Sequence, residues 1–165
     1  MTICLTLSGC SDEPGETEPG PTMNQPALPT VKMTIAGQPF TLEVAFTRVA
    51  RGRGLMFREN IGPHEGMFFI FPRREPQDMW MQNCLTSLDM LFIADDGTIT
   101  QIATLGAPQP GEPPAQVKSG DPVRYVLELA GGRAAELGLK TADRLDLPQT
   151  LRTVIPEPDR PGMAW

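Results

Sequence analysis

The chain has 165 residues, 40% of them hydrophobic, and a formal charge of −6, which is room for one domain of ordinary size with tails and too little for a second. Asp12, Glu13, Glu16 and Glu18 all precede the first basic residue, Lys32, so removing those four from the 20 acidic residues leaves 16 against 14 basic ones in the rest of the chain. A nearly neutral body whose basic residues are scattered, apart from short groups such as Arg48/Arg51/Arg53/Arg58, offers no electrostatic footprint for nucleic acid. Of the three cysteines only Cys84 falls inside the expected domain and His64 is the single histidine. No intradomain disulfide, zinc site or haem site is therefore expected, and no cofactor is implied.

In chain order, Leu7-Ser8-Gly9-Cys10 comes first. It resembles the bacterial lipobox, in which small residues precede a cysteine that is lipidated and becomes the mature N-terminus. Residues 1–9 then read as a signal remnant. Secretory signals run about 15 to 30 residues with a positive start, whereas nine residues without Lys or Arg precede Cys10, so a true start further upstream is expected. Residues 10–30 are mostly Pro, Gly, Glu, Asp and Thr, the composition of a disordered tether. An anchor followed by a tether implies a membrane attachment through acyl chains on Cys10 and a periplasm-facing domain in the cell envelope. Ser11, rather than Asp, after the cysteine favours the outer membrane. No other apolar stretch approaches the roughly 20 residues of a membrane span.

Residues 31–148 carry the domain. Val31–Ile35 and Phe40–Val44 alternate apolar and polar residues around Gly37-Gln38, predicting a β-hairpin. Thr47 is placed to cap a brief helix that Gly52 and Gly54 cut short. Gly66 to Phe71 is a continuous apolar run closed by Pro72, the pattern of a buried strand, and Arg73 to Asp78 reads as a charged connector. Met79–Asn83 and Leu88–Ala94 are extended, and Asp96-Gly97 predicts a tight turn into Thr98–Leu105. The Pro- and Gly-rich stretch from Gly106 to Pro122 is too long for a tight turn, hence a lid or a loose excursion. Tyr125–Leu129 returns as a strand, Gly132–Leu137 suits a short helix ended by Gly138, and Arg144–Leu147 suits a last strand before Pro148. Residues 149–165 read as a Pro-rich tail. The expected class is mainly β (β-rich α+β), a compact antiparallel sandwich or barrel with two short helices.

Four blocks carry a family resemblance: Arg51-Gly52-Arg53-Gly54-Leu55-Met56-Phe57-Arg58, Gly66-Met67-Phe68-Phe69-Ile70-Phe71-Pro72, Trp80-Met81-Gln82-Asn83 with Leu88-Asp89, and Tyr125-Val126-Leu127-Glu128-Leu129. In order and spacing they resemble the domain-of-unknown-function 192 family, also called uncharacterised protein family 0127, over roughly residues 31 to 147. The resemblance implies a β-rich single domain, often exported, with no established activity. In the family pattern the position of Gln82 is usually basic and that of Cys84 usually Thr.

Polar groups set into core-like strand must find partners, so Arg58, Trp80, Asn83, Asp89 and Glu128 are the candidate ligand-binding residues. Asp89, among Leu88, Met90, Leu91 and Phe92, is either a general base or a structural carboxylate held by Arg58 or the Asn83 amide. Trp80 stacks on a ligand or fills core. Asn83 fixes either a loop or a polar ligand. Arg58 is an anion clamp or the internal partner of Asp89 or Glu128. Cys84, His64 and Asp89 have the composition of a cysteine-hydrolase triad and nothing that places them together. The leading expectation is a lipid-anchored envelope domain that binds a small polar ligand or a protein partner. The alternatives are a metal-independent hydrolase or acid/base enzyme using Asp89, and a structural envelope protein whose polar cluster locks the fold.

Overall fold

A computed structural model describes residues 27–159. The lipobox at Cys10, most of the tether and the last six residues lie outside the described range. The hairpin forms as its alternation predicts: β1 (Thr30–Ile35) pairs antiparallel with β2 (Gln38–Ala45) through a turn with Ala36 at φ 46° and Gly37 at φ 78°. Two successive positive φ values give the twist that a two-residue hairpin needs. Thr47 then caps α1 (Arg48–Arg53), its hydroxyl accepting from the Ala50 amide at 3.1 Å.

Strand β3 (Glu65–Glu75) runs straight through Pro72 where the sequence suggested a stop. It tolerates the proline because its pairing with β8 (Val123–Ala130) shifts register between Ile70 and Glu75, so no ladder N–H is needed there. The carbonyls released by this bulge are collected by side chains: Arg51 donates to Ile70 O at 3.4 Å and Arg124 to Phe71 O at 3.4 Å. Next come β4 (Asp78–Trp80), β5 (Leu88–Ile93), β6 (Ile99–Leu105) and β7 (Gln116–Lys118), followed by β8 and the short helices α2 (Arg133–Glu136) and α3 (Gln149–Thr153).

The β-rich expectation holds, and the details differ from an antiparallel sandwich or barrel. Six strands form one sheet in the order β1-β2-β3-β8-β5-β6, and a second, two-stranded sheet is the β4-β7 ribbon. Strands β2 and β3 are parallel, which the chain from 46 to 64 allows, since a parallel return needs a dozen or more residues. The described residues hold three short helices rather than two, and Arg144–Leu147 contributes only an isolated bridge, Thr98 to Arg144. The 106–122 excursion is docked through β7, with Gln101 accepting from the Gly120 amide at 2.8 Å.

Alternation along the central strands sends their side chains into two cores. Phe68, Ile70, Leu91, Ile93, Leu127 and Leu129 pack with Leu145, Leu147, Leu151 and Ala134 of α2 on one face. Met67, Phe69, Met90, Phe92 and Val126 pack with Ala50, Leu55, Met79, Met81 and Cys84 on the other. Burial on both faces explains why β3 and β5 read as unbroken apolar runs. The segment after Pro148 is no free tail. Leu151 is buried in the first core, and the Glu157 amide donates to Phe46 O at 2.9 Å.

Candidate functional site

Asp89 faces the first core, on the same side of β5 as Leu91 and Ile93. It is fully buried and both oxygens are occupied. Oδ1 accepts from the Thr104 hydroxyl at 2.7 Å and the Gly132 amide at 2.9 Å, and Oδ2 accepts from the Ala134 amide at 2.7 Å. Gly132 is the N-cap of α2 and has no side chain to cap with, so a carboxylate from a neighbouring strand satisfies the first amides of that helix, where negative charge is favoured. Neither Arg58 nor Asn83 touches it. Arg58 instead makes two parallel bonds to Glu43, Nη1 to Oε1 and Nη2 to Oε2, each 2.8 Å.

The triad composition falls apart in space. His64 packs edge-on against Phe40, with ring centroids 5.4 Å apart, and Phe40 and Asp89 belong to the first face while Cys84 belongs to the second. Burial, with the Glu128 carboxyl adding to it, pushes the Cys84 thiol up to about 12. A thiol that far above neutrality holds almost no thiolate and is a poor nucleophile. Among the described residues no three His, Cys, Asp or Glu side chains come together as a metal site.

Glu128 faces the second core and is a polar anomaly within it. It is 3% exposed, Oε2 is sealed from solvent, and that oxygen has no hydrogen-bond partner among the described residues. Burial pushes its carboxyl up to about 8, so near neutral pH it is mostly a carboxylic acid, an O–H donor rather than an anion. Above it lies a small recess, with a cavity volume of about 20 Å³, lined by Arg51–Met56, Phe69, Met79, Trp80, Cys84 and Glu128. That volume accommodates about one water or one ligand group. Gly54 forms its roof at φ 50°, ψ −135°; a Cβ there would come 3.3 Å from Phe69 Cζ and 3.7 Å from Glu128 Oε2.

The rim is held by a backbone clasp. Asn83, at φ 55°, accepts from the Phe57 amide at 2.8 Å through its carbonyl, and its side-chain amide rests on Met56 Sδ at 3.7 Å. Phe57, itself at φ 62°, remains 48% exposed. The structure therefore brings together Trp80 and Glu128, puts Asn83 at the margin as a loop clasp, seats Arg58 with Glu43 in an adjoining pocket, and removes Asp89 to the other face.

The pieces that meet at this recess are the four blocks of the sequence signature: Arg51–Met56, Phe69, Trp80 and Glu128 come one from each. A family profile described as "Uncharacterized ACR", the domain of unknown function 192, matches residues 31–147. The chain belongs to the domain-of-unknown-function 192 family. Solved structures resemble it, two of them as follows. A protein from Sinorhizobium meliloti 1021, described as a candidate transcription regulator, is 41% identical over 71% of this chain and 91% of that one, with a TM-score of 0.61. A protein of unknown function from Novosphingobium aromaticivorans DSM 12444 is 30% identical over 81% of this chain and all of that one, with a TM-score of 0.59. The curated proteins contain no significant match. For the family member described here, two residues outside the candidate set prove central: Gly54, expected only to end the helix, which makes a close approach, and Glu43, which pairs with Arg58.

Proposed function

We propose that this chain is a lipid-anchored envelope protein whose domain binds a small ligand at the Glu128 recess. One observation carries the reading: a buried carboxyl with an unpartnered oxygen sits beneath an opening lined by all four signature blocks. An unsatisfied buried polar group costs about 1 to 3 kcal/mol, and an apolar residue of similar size would remove that cost. A ligand supplying an acceptor to the neutral carboxyl would use the group that folding leaves unused, while Trp80 and Met56 at the mouth meet its apolar body. Asn83 supports the same mouth through its clasp on Phe57.

Thermal-shift screening of envelope metabolites against the wild type, Glu128→Leu and Trp80→Ala tests this. A ligand raises the melting temperature of the wild type by mass action, and Glu128→Leu melts higher than wild type yet shows no ligand shift. A broad library that shifts nothing, or a ligand that shifts Glu128→Leu equally, overturns the reading. The lipobox and the tether composition support attachment through Cys10 and an outer-membrane location facing the periplasm; an unmodified N-terminus in mass spectrometry of membrane-derived protein overturns that part.

The transcription-regulator description of the Sinorhizobium relative is not carried over. Two of its arginines are tied up in side-chain pairs, Arg58 with Glu43 and Arg133 with Glu136 and Gln38, and the remaining basic residues are scattered along a nearly neutral chain rather than gathered into a patch. An enzyme built on Asp89 is not favoured either, because its carboxylate is already saturated by three donors.

A further inference from the structure

On the same face of the sheet as Glu128, separated from its recess by Leu55, lies a larger concavity of about 220 Å³. Its floor is a grid of four polar side chains that strand register places together. Thr30 of β1 stands directly opposite Glu43 of β2, and Thr41 of β2 directly opposite Glu65 of β3. Directly opposed residues share a face with Cβ atoms about 5 Å apart, and Thr41 and Glu43, two apart on one strand, face the same way. Arg58 and Asn60, on the loop between α1 and β3, form the wall.

This floor stays open although the opposite face of the same strand is solid core, where Phe40, Leu42 and Val44 are buried. The charges are already balanced against each other: the bidentate Arg58–Glu43 pair is neutral as a unit, and Glu65 is committed through Oε2 to the Gly62 amide at 3.0 Å. The neutral groups are not committed. Thr30, Thr41 and Asn60 make no side-chain hydrogen bond among the described residues. An occupant therefore meets hydroxyls and an amide that both donate and accept, beside a carboxylate with remaining lone pairs. Leu55 and Ile61 add two apolar patches for C–H groups.

We infer that this Thr30/Thr41/Glu43/Arg58/Asn60 pocket is a second binding site, for a compact uncharged polyol of monosaccharide size. The pocket is smaller than the 300 to 1,000 Å³ typical of drug-sized sites, which sets the size. Its chemistry sets the class. An anion would face two carboxylates and one guanidinium already engaged, with Lys32, opposite Thr41, outside the lining; a cation would compete with Arg58 for Glu43, and a polyol pairs with every open group without disturbing the ion pair. Glu43 and Glu128 lie in one row across the sheet, on either side of Met67, so the two sites are neighbours and remain chemically distinct.

Amide chemical shifts of the full chain, followed during titration with glucose, gluconate and glucosamine, test this site separately from the Glu128 recess. Glucose is expected to move the Thr41, Arg58 and Asn60 resonances saturably, with gluconate and glucosamine binding at least about tenfold more weakly, a difference of about 1.4 kcal/mol. Thr41→Val combined with Asn60→Ala, both at the surface, should weaken glucose by about tenfold while melting with the wild type. Glu128→Leu should leave glucose binding unchanged. No saturable shift with glucose, equal binding of a charged analogue, shifts centred on Trp80 and Cys84, or an unaffected double variant would each overturn the inference.

Discussion

Asp89 and Glu128 lie one register step apart on the paired strands β5 and β8, Asp89 opposite Leu129 and Glu128 opposite Met90, and they point to opposite faces of the sheet. A one-residue offset reverses the face in a structure with period two. The two buried carboxyl groups consequently have opposite fates. Asp89 meets a helix start and a hydroxyl and is saturated, whereas Glu128 meets Phe69, Met79 and the Gly54 roof and keeps an oxygen unpaired.

Saturation makes Asp89 a stability residue. Asp89→Asn offers one acceptor where three donors converge and turns its NH2 toward a backbone N–H, so the variant should lose about 2 to 3 kcal/mol. Urea unfolding is the measurement, with a lower midpoint at an unchanged slope expected. A midpoint equal to wild type would show that α2 does not depend on this carboxylate.

Glu128 should impose a pH dependence of the opposite sense to that of a paired acid. Its folded carboxyl keeps its proton up to about 8, from the ordinary 4.5, so between those values the native state binds more protons than the unfolded state. Stability is then greatest below pH 4.5 for this group and falls as pH rises toward 8, by at most about 5 kcal/mol. Urea melts at pH 5, 6.5 and 8 (roughly one step per half of the window) should show this decline in the wild type and a flat profile in Glu128→Gln. A wild-type profile as flat as that of the variant would mean that the carboxyl is not held neutral.

Much of this was legible in the chain, and the exceptions share a cause. Alternation placed β1 and β2, the Asp96-Gly97 turn placed β5 against β6, and Thr47 announced α1, because each is set by neighbours in sequence. The parallel pairing of β2 with β3, the passage of a strand through Pro72 and the docking of residues 154–159 depend on partners far along the chain. So does the site. Trp80 and Glu128 stood out as candidates, but which face each carboxyl takes is decided by register, and Arg58 found Glu43 rather than Asp89 because the 55–61 loop folds over β2. Gly54 was legible as the end of α1, but its close approach to Phe69 and Glu128 was not, because those partners lie far along the chain.

The C-terminal segment should be part of the stable unit. Arg51, whose side chain is 1% exposed, donates to Phe46 O at 2.7 Å, Glu157 O at 2.9 Å and Asp159 Oδ1 at 2.6 Å. Glu157 also accepts from the Arg48 amide at the start of α1 at 2.9 Å. Asp159→Ala removes one carboxylate partner of a buried guanidinium and should lower stability by about 1 to 3 kcal/mol, whereas Asp159→Asn keeps an acceptor and should cost less. Chemical denaturation ranks the three proteins, and equal midpoints would show that the segment is not anchored by this pair.

Gly54→Ala separates packing at the recess from backbone strain. Any side chain at φ 50°, ψ −135° is strained by about 1 to 3 kcal/mol, and here the added Cβ would also press on the Phe69 ring at 3.3 Å and approach Glu128 Oε2 at 3.7 Å. Gly111→Ala is the control, since Gly111 has φ 84° but nothing within 4 Å of a new Cβ. Gly54→Ala should therefore lower the unfolding midpoint further than Gly111→Ala, with the methyl group filling a cavity of only about 20 Å³. Ligand-induced thermal shifts should vanish in Gly54→Ala and persist in Gly111→Ala. If both variants lose the same stability and both keep the ligand shift, the close approach of Gly54 to Glu128 does not shape the site.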